Sequence, residues 1–140
     1  MYIPNYPTEG AKTYASGGSG MTGTARAYYL FCQAMLNNGK LNGVRILKEE
    51  TAKSMHINQL DSIQFPSRTA TFGFGFDVAK NHPNRPDGSY SWGGAFSTIF
   101  WIDPVNDIIV IQLRQVLQSP YNQSINGKLE QIVYSALNDK

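Results

Sequence analysis

Cysteine is nearly absent from this sequence: Cys32 is the only one in 140 residues. One thiol can form neither an internal disulfide framework nor a cysteine-based zinc site. Neither sign of charge is in large excess, with 12 Lys plus Arg against 10 Asp plus Glu. The basic residues are scattered, which argues against nucleic acid or another polyanionic partner. No stretch reaches the ~18 apolar residues of a membrane span. The opening residues also lack the basic-then-apolar pattern of a signal peptide. The two histidines, His56 and His82, have no ligand-spaced partners, which predicts surface residues bonded locally or solvated. The glycine cluster at 17–23 is not followed by Gly-Lys-Ser/Thr, so it is no phosphate loop. Nothing in these patterns asks for a metal or a cofactor.

What is present fits one domain with a real core. Residues 1–20, with two prolines and four glycines, read as an irregular lead-in. Residues 21–60 read as a helical part. Thr24, or Thr22, is a suitable N-cap. Ala25, Tyr28, Tyr29, Cys32, Met35 and Leu36 then recur on one helical face. Leu30, Phe31 and Ala34 widen that face, which predicts burial on more than one side. Cys32 therefore reads as core packing. Asn38-Gly39 ends the helix, Asn42-Gly43 makes a tight turn, and a short helix runs from about Lys48 to Met55.

Residues 70–140 carry strand signals and a last helix. "TFGFGFDV" alternates strictly, which predicts one strand with Phe72, Phe74, Phe76 and Val78 on a core face. Gly73 and Gly75 fall on the other face, where a helix could approach closely. Residues 89–95 and 96–103 extend further. "IIVIQLRQV" (108–116) opens as a continuous apolar run, which predicts a central strand covered on both faces. Ile125, Leu129, Ile132, Val133 and Ala136 form the apolar stripe of a helix starting near Ser124. The expected class is α+β, an antiparallel sheet backed by the C-terminal helix, with helices preceding it.

Three strings together, "GGSGMTGTARAYYLFCQAMLNNGKLNGVRIL", "FGFGFDV" and "YSWGGAFSTIFWIDP", resemble the C-terminal portion of the serine β-lactamase and penicillin-binding-protein superfamily. The likeness is to its class C-like, esterase-like branch. It implies that the whole chain, 1–140, is the C-terminal portion of a β-lactamase-like domain. In that family one strand lines the active-site edge with a Lys/His/Trp-x-Gly motif, matched here by Trp92-Gly93-Gly94. The resemblance implies that Trp92, Gly93 and Gly94 bind substrate, with Trp92 a pocket wall and the glycines leaving bare main chain. It implies that the Ala95 amide is an oxyanion-hole donor. A lysine in place of Trp92 would favour a true β-lactamase, so the resemblance points more to an esterase or peptidase.

The family acylates a serine in Ser-x-x-Lys. No serine here has Lys three residues on; Ser124 has Lys128 four on, and no Tyr-x-Asn occurs. The expectation is a C-terminal fragment of a serine hydrolase acting on a small acyl substrate, inactive alone. The alternative is a non-catalytic binding or assembly module that keeps the fold. The resemblance further implies a periplasmic or extracellular setting. It also implies that the 108–116 edge pairs with the missing N-terminal part of the same protein or with a self-associated copy.

Overall fold

The computed structural model describes residues 17–18, 21–60 and 71–138, so most of the expected lead-in lies outside the described residues. Helix α1 spans Ala25–Leu36. Thr24 caps it, its hydroxyl accepting from the Ala27 N–H at 3.1 Å. The helix stops at Asn37, after which Asn38 and Gly39 are left-handed. Strands β1 (Lys40–Leu41) and β2 (Val44–Arg45) pair around Asn42-Gly43. Both turn residues have positive φ, as a two-residue hairpin demands. Helix α2 spans Glu49–Met55, its two glutamates in the first turn, where the helix dipole favours them.

The main sheet is a five-stranded antiparallel meander in the order β3-β4-β5-β6-β7. The strands are β3 (Thr71–Phe72), β4 (Asp77–Val78), β5 (Tyr90–Gly93), β6 (Ile99–Asp103) and β7 (Ile108–Gln112). Helix α3, Asn122–Asn138, closes the described chain. The register pairs Tyr90 with Ile102 and Ser91 with Trp101, so successive residues serve opposite faces.

The two faces are covered differently. On the first, Tyr90, Phe100 and Ile102 join Phe76, Val78, Cys32, Met35 and Ala52 in one buried apolar cluster. Helix α1 packs over β6 and β7 there, with Tyr28 edge-on to Phe100 at 5.0 Å. On the second, fully buried Trp101 and Asp103 lie beneath α3, whose Tyr134 hydroxyl donates to Asp103 Oδ2 at 2.9 Å. Glu130 of α3 meets Arg85 Nε at 3.3 Å, both side chains buried. The α+β class and the backing C-terminal helix are therefore present.

Four expectations need correction. Residues 71–78 are not one strand but the β3–β4 hairpin, turning through 73–76. Gly75 has φ +91, a conformation that breaks the strand while the alternation continues. Phe76 is buried, whereas Phe74 is 56% exposed and not core. A helix does approach Gly73: a Cβ there would stand 2.0 Å from the Met55 carbonyl oxygen at the end of α2, whereas one on Gly75 would meet nothing.

Among the described residues the apolar run from 108 is not a central strand. β7 ends at Gln112, is half-buried throughout, and is an edge among the described residues. Helix α1 buries Cys32, Ala34 and Met35 but leaves Tyr28, Tyr29, Leu30 and Phe31 more than a third exposed, so burial on several sides does not hold here. In α3 the expected stripe holds only in part: Leu129 and Val133 are half-buried. Ile125 and Ile132 are exposed, while Asn126, Glu130 and Tyr134 make the contacts. Those three lie at i, i+4 and i+8, one helical face.

Candidate functional site

Trp92, Gly93, Gly94 and Ala95 come together at the β5–β6 hairpin and are all exposed. The expected position at the sheet's outer edge needs qualification. β5 is third of five strands, but β4 pairs only with Tyr90 and Ser91. The Gly93-Gly94 main chain lies beyond that register, so among the described residues no strand pairs with it on that side, although β5 is internal to the sheet. Trp92 is 42% exposed and meets Phe72 edge-on at 5.3 Å.

Much of the glycine requirement is internal to the hairpin. A Cβ on Gly94 would stand 2.6 Å from Thr98 Oγ1, and one on Gly93 3.1 Å from the Thr98 carbonyl oxygen. Thr98 thus crowds the path that the two glycines keep clear.

The loop is Ala95-Phe96-Ser97. The Gly94 N–H donates to the Thr98 carbonyl at 3.0 Å, and the Ser97 N–H to the Gly94 carbonyl at 2.9 Å. Ser97 has φ +65. A left-handed third residue is the usual form of a three-residue hairpin loop, and glycine is its ordinary occupant. Here the position is a serine with no exposed surface.

An arm formed by residues 114–119 holds that serine. Ser97 Oγ donates to the Val116 carbonyl at 2.6 Å and accepts from the Ser119 N–H at 3.4 Å. Arg114 Nε donates to the Ser97 carbonyl at 2.8 Å. The Val116 N–H donates to the Phe96 carbonyl at 3.2 Å and the Gln118 N–H to the Ala95 carbonyl at 2.9 Å. Every carbonyl from Gly94 to Ser97 is therefore engaged. The amides of Ala95 and Phe96 meet no acceptor among the described residues. The loop offers donors and almost no acceptors, which suits an anion or a developing negative charge.

Other candidate groups lie elsewhere. Burial pushes the Cys32 thiol up to about 12, so it stays a thiol and packs in the core. His56 stacks on Tyr90 at 4.5 Å, and burial lowers its pKa. His82 Nδ1 accepts from the N–H groups of Asn84 and Arg85. Among the described residues no three His, Cys, Asp or Glu side chains gather to hold a metal. No helix among them is long and apolar enough to cross a membrane.

Ser97, Thr98 and Arg114 were not marked as functional by the sequence. A three-residue gap between a Gly-Gly bend and a strand is the signal that could have found Ser97, because such a loop needs a left-handed residue. No local signal marks Arg114.

The beta-lactamase family model matches residues 2–131. Protein Rv1367c of Mycobacterium tuberculosis is 30% identical over 118 residues, covering 74% of this chain and 29% of that protein. The chain thus spans under a third of the length of the curated relatives it matches. Unliganded simvastatin synthase (LovD) from Aspergillus terreus superposes with a TM-score of 0.63 at 17% identity, over 81% of this chain and 35% of that one. EstCE1, described as a hydrolase with promiscuous acyltransferase activity, superposes at 0.61 with 27% identity, over 81% of this chain and 31% of that one.

Proposed function

The chain belongs to the beta-lactamase family, and on that premise we propose that its β5–β6 hairpin is one wall of a serine acyl-transfer site. In this reading Trp92 is a side wall. Gly93 and Gly94 leave main chain bare beside the acyl group. The Ala95 amide is one of the donors to the oxyanion, and the Phe96 amide stands next to it. The single observation that supports this most is the pair of amides that meet no acceptor among the described residues, in a loop whose carbonyls are all taken. Such donors are worth most when fixed before charge develops, because no reorganisation is then needed in the transition state. The acyltransferase description of EstCE1 supports acyl chemistry as the reaction class.

The attacking serine is not in a Ser-x-x-Lys of this sequence. We therefore assign the nucleophile and its lysine to a further segment, and expect the chain alone to be inactive. The exposed Tyr29, Leu30 and Phe31 of α1 and the edge of β7, unpaired among the described residues, are the surfaces such a segment, or a second copy, would cover. Two measurements test the reading. The pure chain should not turn over p-nitrophenyl acetate or nitrocefin; turnover abolished by a serine-directed phosphonate would refute the missing nucleophile. Light scattering should show self-association or capture of the complementary segment, and a monodisperse monomer at high concentration counts against a demand for edge pairing. The second reading is a non-catalytic module that keeps the fold, favoured by the same lack of Ser-x-x-Lys. It predicts that joining the chain to a segment bearing Ser-x-x-Lys restores no turnover.

A further inference from the structure

We propose that Arg114 is a positioning residue for the Ala95 and Phe96 amides, acting through Ser97. The proposal rests on the reading of those amides as oxyanion donors. Its basis is a chain of contacts between two elements far apart in sequence. Arg114 lies just past β7. Its Nε donates to the Ser97 carbonyl at 2.8 Å. Its Nη2 donates to Asn126 Oδ1 at 2.9 Å and also to Asn122 Oδ1. One guanidinium therefore joins the end of the 95–97 loop to the first turns of α3.

The physical need for this brace is local strain. A left-handed serine is disfavoured over an ordinary conformation, and within the hairpin only its N–H, donating to the Gly94 carbonyl, helps to hold it. The remaining support comes from outside, through Ser97 Oγ on Val116 and Arg114 on the Ser97 carbonyl. A planar fork that makes several bonds at once fixes direction as well as distance. If it is released, Ser97 can leave the left-handed region. The turn that presents the Ala95 and Phe96 amides then loses its fixed shape. The start of α3 would in this way set how well the donors are aimed, although no atom of α3 need touch substrate.

The test uses the 140-residue chain, with sodium formate as the anion probe and amide NMR as the readout. In the unsubstituted chain formate should shift the Ala95 and Phe96 amides saturably. Arg114→Met should weaken that response roughly ten-fold and move the three-bond HN–Hα coupling of Ser97 off its left-handed value. Arg114→Lys, which can still reach the Ser97 carbonyl, should recover part of both. Asn126→Ala, which removes one anchor on α3, should act in the same direction more weakly and serves if the methionine variant does not fold. Unchanged Ser97 coupling and unchanged loop amides in these variants would overturn the brace. So would equal shifts at Cys32 and Ala52, which signal general loosening. If the unsubstituted chain ignores formate, the oxyanion reading fails, and the Ser97 coupling alone decides the brace.

Discussion

Two hairpins of the same sheet carry a pair of glycines, and they use them in different ways. In the β3–β4 hairpin the left-handed turn residue is itself a glycine, Gly75, with φ +91 and open space around it. The other glycine, Gly73, admits the end of α2. In the β5–β6 hairpin neither glycine is left-handed; Ser97 is, and Gly93 and Gly94 make room for Thr98. The first loop adopts its shape from its own backbone freedom. The second is held in a costly shape by contacts from 114–119, with Arg114 of that arm bonded in turn to Asn122 and Asn126 of α3. Strain of that kind is kept only where the surroundings over-determine it, and here it sits beside the candidate donors.

The largest effect should come from the first hairpin. Gly73→Ala places a methyl 2.0 Å from a backbone oxygen that ends a helix, and neither partner is a flexible side chain. We expect a loss of about 3 kcal/mol by urea denaturation. Gly75→Ala meets no atom and suffers only from its φ, so its loss should be about 1 kcal/mol. Equal losses in the two would break the distinction between close approach and backbone freedom.

Ser97 sharpens the comparison from the other side. Ser97→Ala keeps the left-handed strain and removes the hydroxyl that serves Val116 and Ser119, so the loss should be about 2 kcal/mol. Ser97→Gly removes the same hydroxyl but also the strain, and should be more stable than the alanine variant by about 1 kcal/mol. A glycine variant no more stable than the alanine variant would mean that Ser97 is not strained. Gly94→Ala should cost about 1 kcal/mol through Thr98 Oγ1. Thr98→Ala removes that atom, so the double variant should lose less than the sum of the two single losses.

Much of this was legible in the residues. Thr24, the 3.6-residue recurrence through Leu36 and Asn42-Gly43 each act within a few positions, and the cap, the helix and the turn form where they were read, although the helix buries less than its recurrence suggests. The β3–β4 hairpin was not legible, because Phe and Gly alternating over 72–76 satisfy the strand pattern while the sign of φ at Gly75 leaves no mark in it. The face of α3 was hidden for another reason. Asn126, Glu130 and Tyr134 face inward because their partners, Arg114 past β7, Arg85 in the β4–β5 loop and Asp103 of β6, are polar or charged too. Apolar periodicity cannot find a polar face, and the partners are remote in sequence. The site divides in the same way: Trp92-Gly93-Gly94-Ala95 is a contiguous string that a family resemblance can match, whereas Ser97 and Arg114 matter only through contacts made on folding.

The smallest effect belongs to the loop from β4 to β5, which is organised by a titrating side chain in place of a glycine or an arm. His82 Nδ1 accepts from two backbone N–H groups, which requires the neutral ring with its proton on Nε2, the atom 3.9 Å from Glu130 Oε2. Burial lowers its pKa, and the Arg85 guanidinium adds to that; the carboxylates of Glu130 and Asp77 oppose it without prevailing. A folded-state pKa below the ordinary 6.5 means that the unfolded chain binds the proton more readily. Stability should therefore be fully present above about pH 7 and fall as the pH drops through the ordinary histidine range towards the lowered value. His56, also lowered by burial, contributes a slope of the same sign. Urea midpoints measured from pH 7.5 to 5 should thus show a modest decline. His82→Ala should make it shallower while lowering stability at neutral pH, and adding His56→Phe should flatten the histidine part of it. An unchanged slope in the His82 variant would mean that the loop keeps its shape with the ring protonated, and that its backbone, like that of the β3–β4 turn, needs no outside support.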